Sequence, residues 1–140
     1  MAFYEKSALI MSFALLIGGI FYFSVVATMS GELGHLVPPM LPLVAVYTAI
    51  LIAVAIAGHV AAAVMAPREA NASPDERERQ LAMRASHYSG LIFGAGVIVS
   101  LGFYLLSYDG HLLFYSVFGS LMISQLAEYG LQIVLYRTAV

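Results

Sequence analysis

Four stretches of this chain, at 7–29, 39–66, 84–106 and 112–136, contain only two formal charges between them: Arg84 at the start of the third and Glu128 within the fourth. Each is long enough for a helix rising ~1.5 Å per residue to cross a hydrocarbon core of ~30 Å. No water reaches the peptide groups in such a core. A chain that crosses it must bond them within the segment, as an α-helix does. The pattern predicts an all-α polytopic membrane protein. It forms a single membrane domain over 1–140, a four-helix transmembrane bundle made of two hairpins.

Composition enters the argument at three points. Charged residues make up 10% of the 140, against about 25% in soluble domains, which leaves too little polar surface to coat a globule in water. The formal net charge of −2 and the lack of a basic face interleaved with aromatics point away from nucleic acid. The chain has no cysteine, which removes disulfides, thiolate metal sites and cysteine nucleophiles. The partner required by the composition is the lipid bilayer. The first apolar run exceeds the h-region of a signal peptide and no A-x-A-like site follows it, so it reads as a span.

The charge missing from the spans is concentrated in Pro67 to Tyr88, PREANASPDERERQLAMRASHY, which holds four of the six cations and four of the eight acids. Within it, Ser73-Pro74-Asp75-Glu76 has the form of a capping box: Ser73 as N-cap, Pro74 at the first helical position, Glu76 reaching back to the cap. This predicts one helix over 74–106, ~50 Å long. Its charged first turns, including an Asp75–Arg79 pair one turn apart, project from the membrane. Pro38, Pro39 and Pro42 suit the first turn of the second span. Asp109-Gly110 suits a tight turn before the fourth.

Small residues mark helix faces that allow close approach. They are the pair Gly18-Gly19, the series Ala45, Ala49, Ala53, Ala57 and Ala61, and the series Ser86, Gly90 and Gly94. With both termini on one side, Lys6, Arg68, Arg77, Arg79, Arg84 and Arg137 share that side. The positive-inside rule makes it the cytoplasm. Tyr4, Tyr88 and Tyr136 then fall near the inner interface, and Tyr22, Tyr104, Tyr108 and Tyr115 near the outer one. Two hairpins entering from one side are not an inverted-topology repeat.

The run PREANASPDERERQ, the amphipathic approach LAMRASHYSG to the third span, the closing QIVLYR and the hairpin–charged loop–hairpin layout resemble a group of small bacterial four-helix membrane proteins that are uncharacterised. The likeness covers most of the chain. It implies this topology and a bacterial inner-membrane setting, and it brings no catalytic residues.

Candidate functional residues are few. Ser116, Ser120, Ser124, Glu128 and Gln132 recur every four residues in the fourth span, with Gln125 beside them. Polar side chains at this depth face protein or water, not lipid. Glu128 lies roughly 6 Å from the middle of the span. A lone carboxyl there serves either as a proton or cation site or as an interhelical hydrogen bond. His59, at similar depth, is placed to meet it. His59 and His87 are the histidines that a haem would take as axial ligands, although their depths differ by about a turn. Glu32-x-x-His35 and Asp109-x-His111 carry metal-binding side chains at the opposite side. They lack the second motif and the inward carboxylates of a di-iron bundle, so they read as loop residues.

No catalytic triad, phosphate-binding loop, dinucleotide fingerprint or zinc-protease motif is present, and no motif demands a cofactor. The loops are too short to build an active site outside the membrane. Packing features outnumber ionisable ones. The expected function is therefore that of a self-assembling or accessory subunit, in a homo-oligomer or a larger membrane complex. The alternatives are a small oligomeric transporter or channel with Glu128 on its pathway, and a haem-, quinone- or lipid-binding protein.

Overall fold

The computed structural model describes residues 3–65, 67 and 75–138. Among them the chain forms four helices: α1 (Phe3–Leu33), α2 (Leu41–Met65), α3 (Glu76–Ser107) and α4 (Gly110–Thr138). All four are long and apolar enough to cross a membrane. The all-α class and the number of spans are those expected from the charge pattern. The boundaries differ at several ends. α1 and α4 extend past the predicted 7–29 and 112–136, because adding a residue to an existing helix is far easier than starting one. α2 begins at Leu41, after Pro38 and Pro39. Each residue that precedes a proline is pushed toward extended backbone, which keeps Val37 and Pro38 out of the helix. Pro42 does sit in the first turn, where its missing N–H costs nothing.

The start of α3 corrects the predicted cap. Asp75 is the N-cap: its carboxylate accepts the Glu78 backbone N–H at 2.7 Å, and the Glu78 carboxylate accepts the Asp75 N–H at 3.0 Å. The box lies two residues beyond the Ser73–Glu76 reading, and Ser73 and Pro74 lie outside the described residues. Asp and Ser cap comparably, and Glu78 stands at the required third position from Asp75. With its carboxylate committed to the cap, Asp75 forms no pair with Arg79. At the far end Tyr108 closes α3 in the left-handed conformation (φ 53°). The Asp109 carboxylate then caps α4 by accepting the N–H groups of His111 at 2.9 Å and Leu112 at 3.1 Å. The turn of the second hairpin is thus Tyr108 and Asp109, with Gly110 already helical.

α2 packs on α1, α1 on α4 and α4 on α3. The bundle is open, and its order in space is α2–α1–α4–α3. Its centre is Tyr22 on α1, which is wholly buried. The rings of Phe23, Tyr47, Tyr115 and Phe118 surround it, with centroids 4.9–6.4 Å away. Tyr22 and Tyr115 therefore face protein and do not form an interfacial aromatic belt, whereas Tyr108 is exposed. Val37 closes the cluster from the α1–α2 loop, held by its N–H donating to Ser30 Oγ at 3.0 Å.

Glycines set the crossings. A Cβ on Gly18 would lie 2.9 Å from the Tyr47 ring, and one on Gly19 would lie 2.6 Å from Met122 Cε. The Gly18-Gly19 pair thus brings α2 and α4 against neighbouring faces of α1. Gly96 lets α3 close on Ser120 of α4, whose Cα would stand 3.6 Å from an added Cβ. The other small-residue faces point outward. All five alanines of the α2 series are exposed, as are Ser86 and Gly90, and nothing stands within 4 Å of a Cβ built at Gly90 or Gly94. At one end of the molecule Arg137 Nε donates to Glu5 Oε1 at 2.8 Å, joining the end of α4 to the start of α1.

Candidate functional site

The polar row on α4 does not stay on one face. Four residues advance a helix by slightly more than a turn, so a period-four row drifts about 40° per step. Its upper members spend their hydroxyls on their own helix. Ser116 donates to the Leu113 carbonyl at 3.1 Å, Ser120 to Ser116 at 2.7 Å and Ser124 to Leu121 at 2.8 Å. Ser124 is buried, and Ser120 lies against Gly96. Ser120 is a packing group of the α3–α4 crossing.

Below them the row leaves that crossing. Gln125, Glu128 and Gln132 are half-buried, and among the described residues none of the three makes a hydrogen bond or ion pair. With Leu121 and Leu135 they form a seam spaced 4-3-4-3, which holds one helix face far better than the period of four. An amide or carboxyl set in hydrocarbon without a partner is costly. The three side chains form an unfinished hydrogen-bonding surface in the second half of α4. The interval-of-four reading joined them to the serines and missed the seam, although the heptad spacing was there to find.

The proposed meeting of His59 and Glu128 does not occur. His59 Nε2 lies 2.6 Å from Ser7 Oγ on α1, and its Nδ1 lies 2.6 Å from the Ala55 carbonyl. A carbonyl only accepts, so Nδ1 carries the proton and Nε2 accepts the Ser7 hydroxyl. Both ring nitrogens are thereby committed, Nδ1 within α2 and Nε2 in the bond that ties α2 to α1. His87 is exposed, edge-on to Tyr88 with centroids 5.8 Å apart, so the two histidines share no site. Glu32 and His35 are exposed on the α1–α2 side. The Asp109 carboxylate is used as the α4 cap beside His111. No group of three or more metal-ligating side chains forms among the described residues.

Two clefts flank the α1–α4 contact. One, of about 310 Å³, lies among α1, α2 and α4, with Tyr47, Thr48, Phe118, Gln125 and Tyr129 on its walls. The other, of about 450 Å³, is lined by Leu15, Gly19, Phe23, Ser116, Gly119 and Ser120 among others. Among the described residues the buried hydroxyls of Tyr22 and Tyr115 have no partner. Comparison with protein-family models, curated proteins and solved structures finds no match to this chain.

Proposed function

We propose that this protein is an integral-membrane subunit that works by lateral assembly, first with a second copy of itself. The observation that carries the reading is the surface of Gln125, Glu128 and Gln132 in the second half of α4, polar and without hydrogen-bonding partners among the described residues. A two-fold axis along the membrane normal sets the same seam against itself. Glutamine supplies both donors and acceptors, so it pairs with its own copy. Polar residues on an a/d seam fix register and subunit number. The outward alanine face of α2 offers a second surface for close helix approach. The bacterial inner-membrane setting with both helix-bearing termini in the cytoplasm rests on the arginine distribution and on the resemblance to small bacterial four-helix proteins.

The absence of cysteine makes the test direct. Single cysteines at Glu128 and Gln132 should cross-link between copies in native membranes, and one at Ile123, about 140° around the helix from Glu128, should not. Native mass spectrometry should give a discrete oligomer that Gln125→Leu weakens. Glu128→Gln keeps the hydrogen-bonding capacity and should be nearly silent. A monomer, or equal cross-linking from Ile123, overturns the proposal. Loss of ion flux in Glu128→Gln with assembly intact would replace it with a conducting pathway.

A further inference from the structure

The first turns of α3 carry cations whose acids are already committed. Asp75 and Glu78 complete the capping box, and Glu76 Oε1 accepts from Gln80 Nε2 at 3.3 Å. Arg77, Arg79 and Arg84 make no ion pair among the described residues, so this helix start is not the salt-bridged segment that its alternating charges suggest. Arg84 is the most isolated of the three, since no acid occurs between Glu78 and Asp109. On its helix the neighbours a turn away are Gln80, Leu81, His87 and Tyr88.

Four of these residues share one outward face. Gln80, Met83, Arg84, His87 and Tyr88 line a shallow open hollow of about 430 Å³, and all five are exposed. An amide, a guanidinium, an imidazole and a phenol border it, all able to donate hydrogen bonds to an anion. Arg77 lies on the same side, seven residues before Arg84, as seven residues make nearly two whole turns. In the opposite direction the face turns apolar through exposed Leu91 and Ile98. The hollow thus stands where α3 passes from charged to uncharged sequence, with cations on one side and lipid-compatible side chains on the other.

We propose that this hollow binds the phosphate of an anionic membrane lipid, with the acyl chains lying along Leu91 and Ile98. The guanidinium takes phosphate oxygens in a two-pronged contact, and Gln80, His87 and Tyr88 supply further donors. Arg77 and Arg84 disfavour a lipid whose headgroup ends in a fixed cation, so the preference is for phosphatidylglycerol over phosphatidylcholine. This site is independent of the α4 seam.

The test is native mass spectrometry of the full chain from a mild nonionic detergent, titrated with phosphatidylglycerol or phosphatidylcholine. The wild type should retain phosphatidylglycerol in preference to phosphatidylcholine. Arg84→Gln should weaken retention about fivefold, the effect of one basic residue at a membrane surface, and Tyr88→Phe should weaken it less. Arg79→Gln removes the same charge about 140° away on the helix and should leave retention unchanged. Equal losses from Arg79→Gln and Arg84→Gln would reduce the effect to net charge and overturn the site. So would equal retention of both lipids, or unaltered binding in Arg84→Gln with an unchanged thermal midpoint. Displacement of the lipid by millimolar inorganic phosphate would make it a free-phosphate site and overturn the lipid assignment.

Discussion

Gly96 and Gly90 occupy the same helix and should answer oppositely to added atoms. At Gly96 a Cβ would overlap the Ser120 side chain, and the Ser120 backbone behind it leaves no room to yield. Gly96→Leu should therefore destabilise the protein by about 1–3 kcal/mol, the usual cost of overpacking. At Gly90 a Cβ meets nothing within 4 Å, so Gly90→Ala should gain up to about 1 kcal/mol of helix propensity. Thermal unfolding in detergent, followed by circular dichroism, reads both. The sequence marked each glycine as small and could not tell them apart. Which glycine meets a neighbour depends on azimuth relative to a partner helix, and one strand of text carries no azimuth. His59 teaches the same lesson. Its depth matched that of Glu128, but its side chain points to Ser7, and depth alone does not choose between two neighbours.

At the level of elements, the start of α3 depends on one carboxylate. Asp75→Ala should cost about 1 kcal/mol through loss of the cap, and Asp75→Asn should keep most of it. Hydrogen exchange of the amides of residues 76–80 separates the two variants. The kind of cap was legible in the sequence because few residue types can accept from free helix N–H groups. Its register was not, because Ser73 with Glu76 and Asp75 with Glu78 both satisfy the pattern. The position follows from where the backbone turns extended, ψ 168° at Asp75. The fourth helix shows a related limit. Its polar residues were all recognised, but grouping them by equal intervals mixed three serines bonded to their own helix with three residues that have no hydrogen-bonding partner among the described residues.

At the scale of the molecule, the class and the four spans were legible because hydrocarbon leaves a crossing chain so few options. The neighbour order was not. The small-residue faces of α2 and α3 fitted the interior and a second copy equally, and both point outward, while aromatic residues and Gly19 fill the α1–α4 junction. The pair Glu5–Arg137 fastens that junction at one end. Glu5 keeps only 10% of its side chain exposed against 61% for Arg137, so Arg137→Ala strands a buried carboxylate and should loosen the last turns of α4. Glu5→Ala with Arg137→Ala should be milder than Arg137→Ala alone, because it leaves no charge without a partner. Exchange protection over residues 130–138 measures the difference. The same fastening has a topological consequence. Because the start of α1 and the end of α4 touch, the path of the backbone through space is nearly a closed ring, broken there by a gap that a linker of about six residues can span. A circular permutant that joins Thr138 to Phe3 and opens the chain within 66–74 should insert with the same four helices in the same places. Its reading order would be α3, α4, α1, α2, so the two hairpins would trade order of synthesis without trading neighbours.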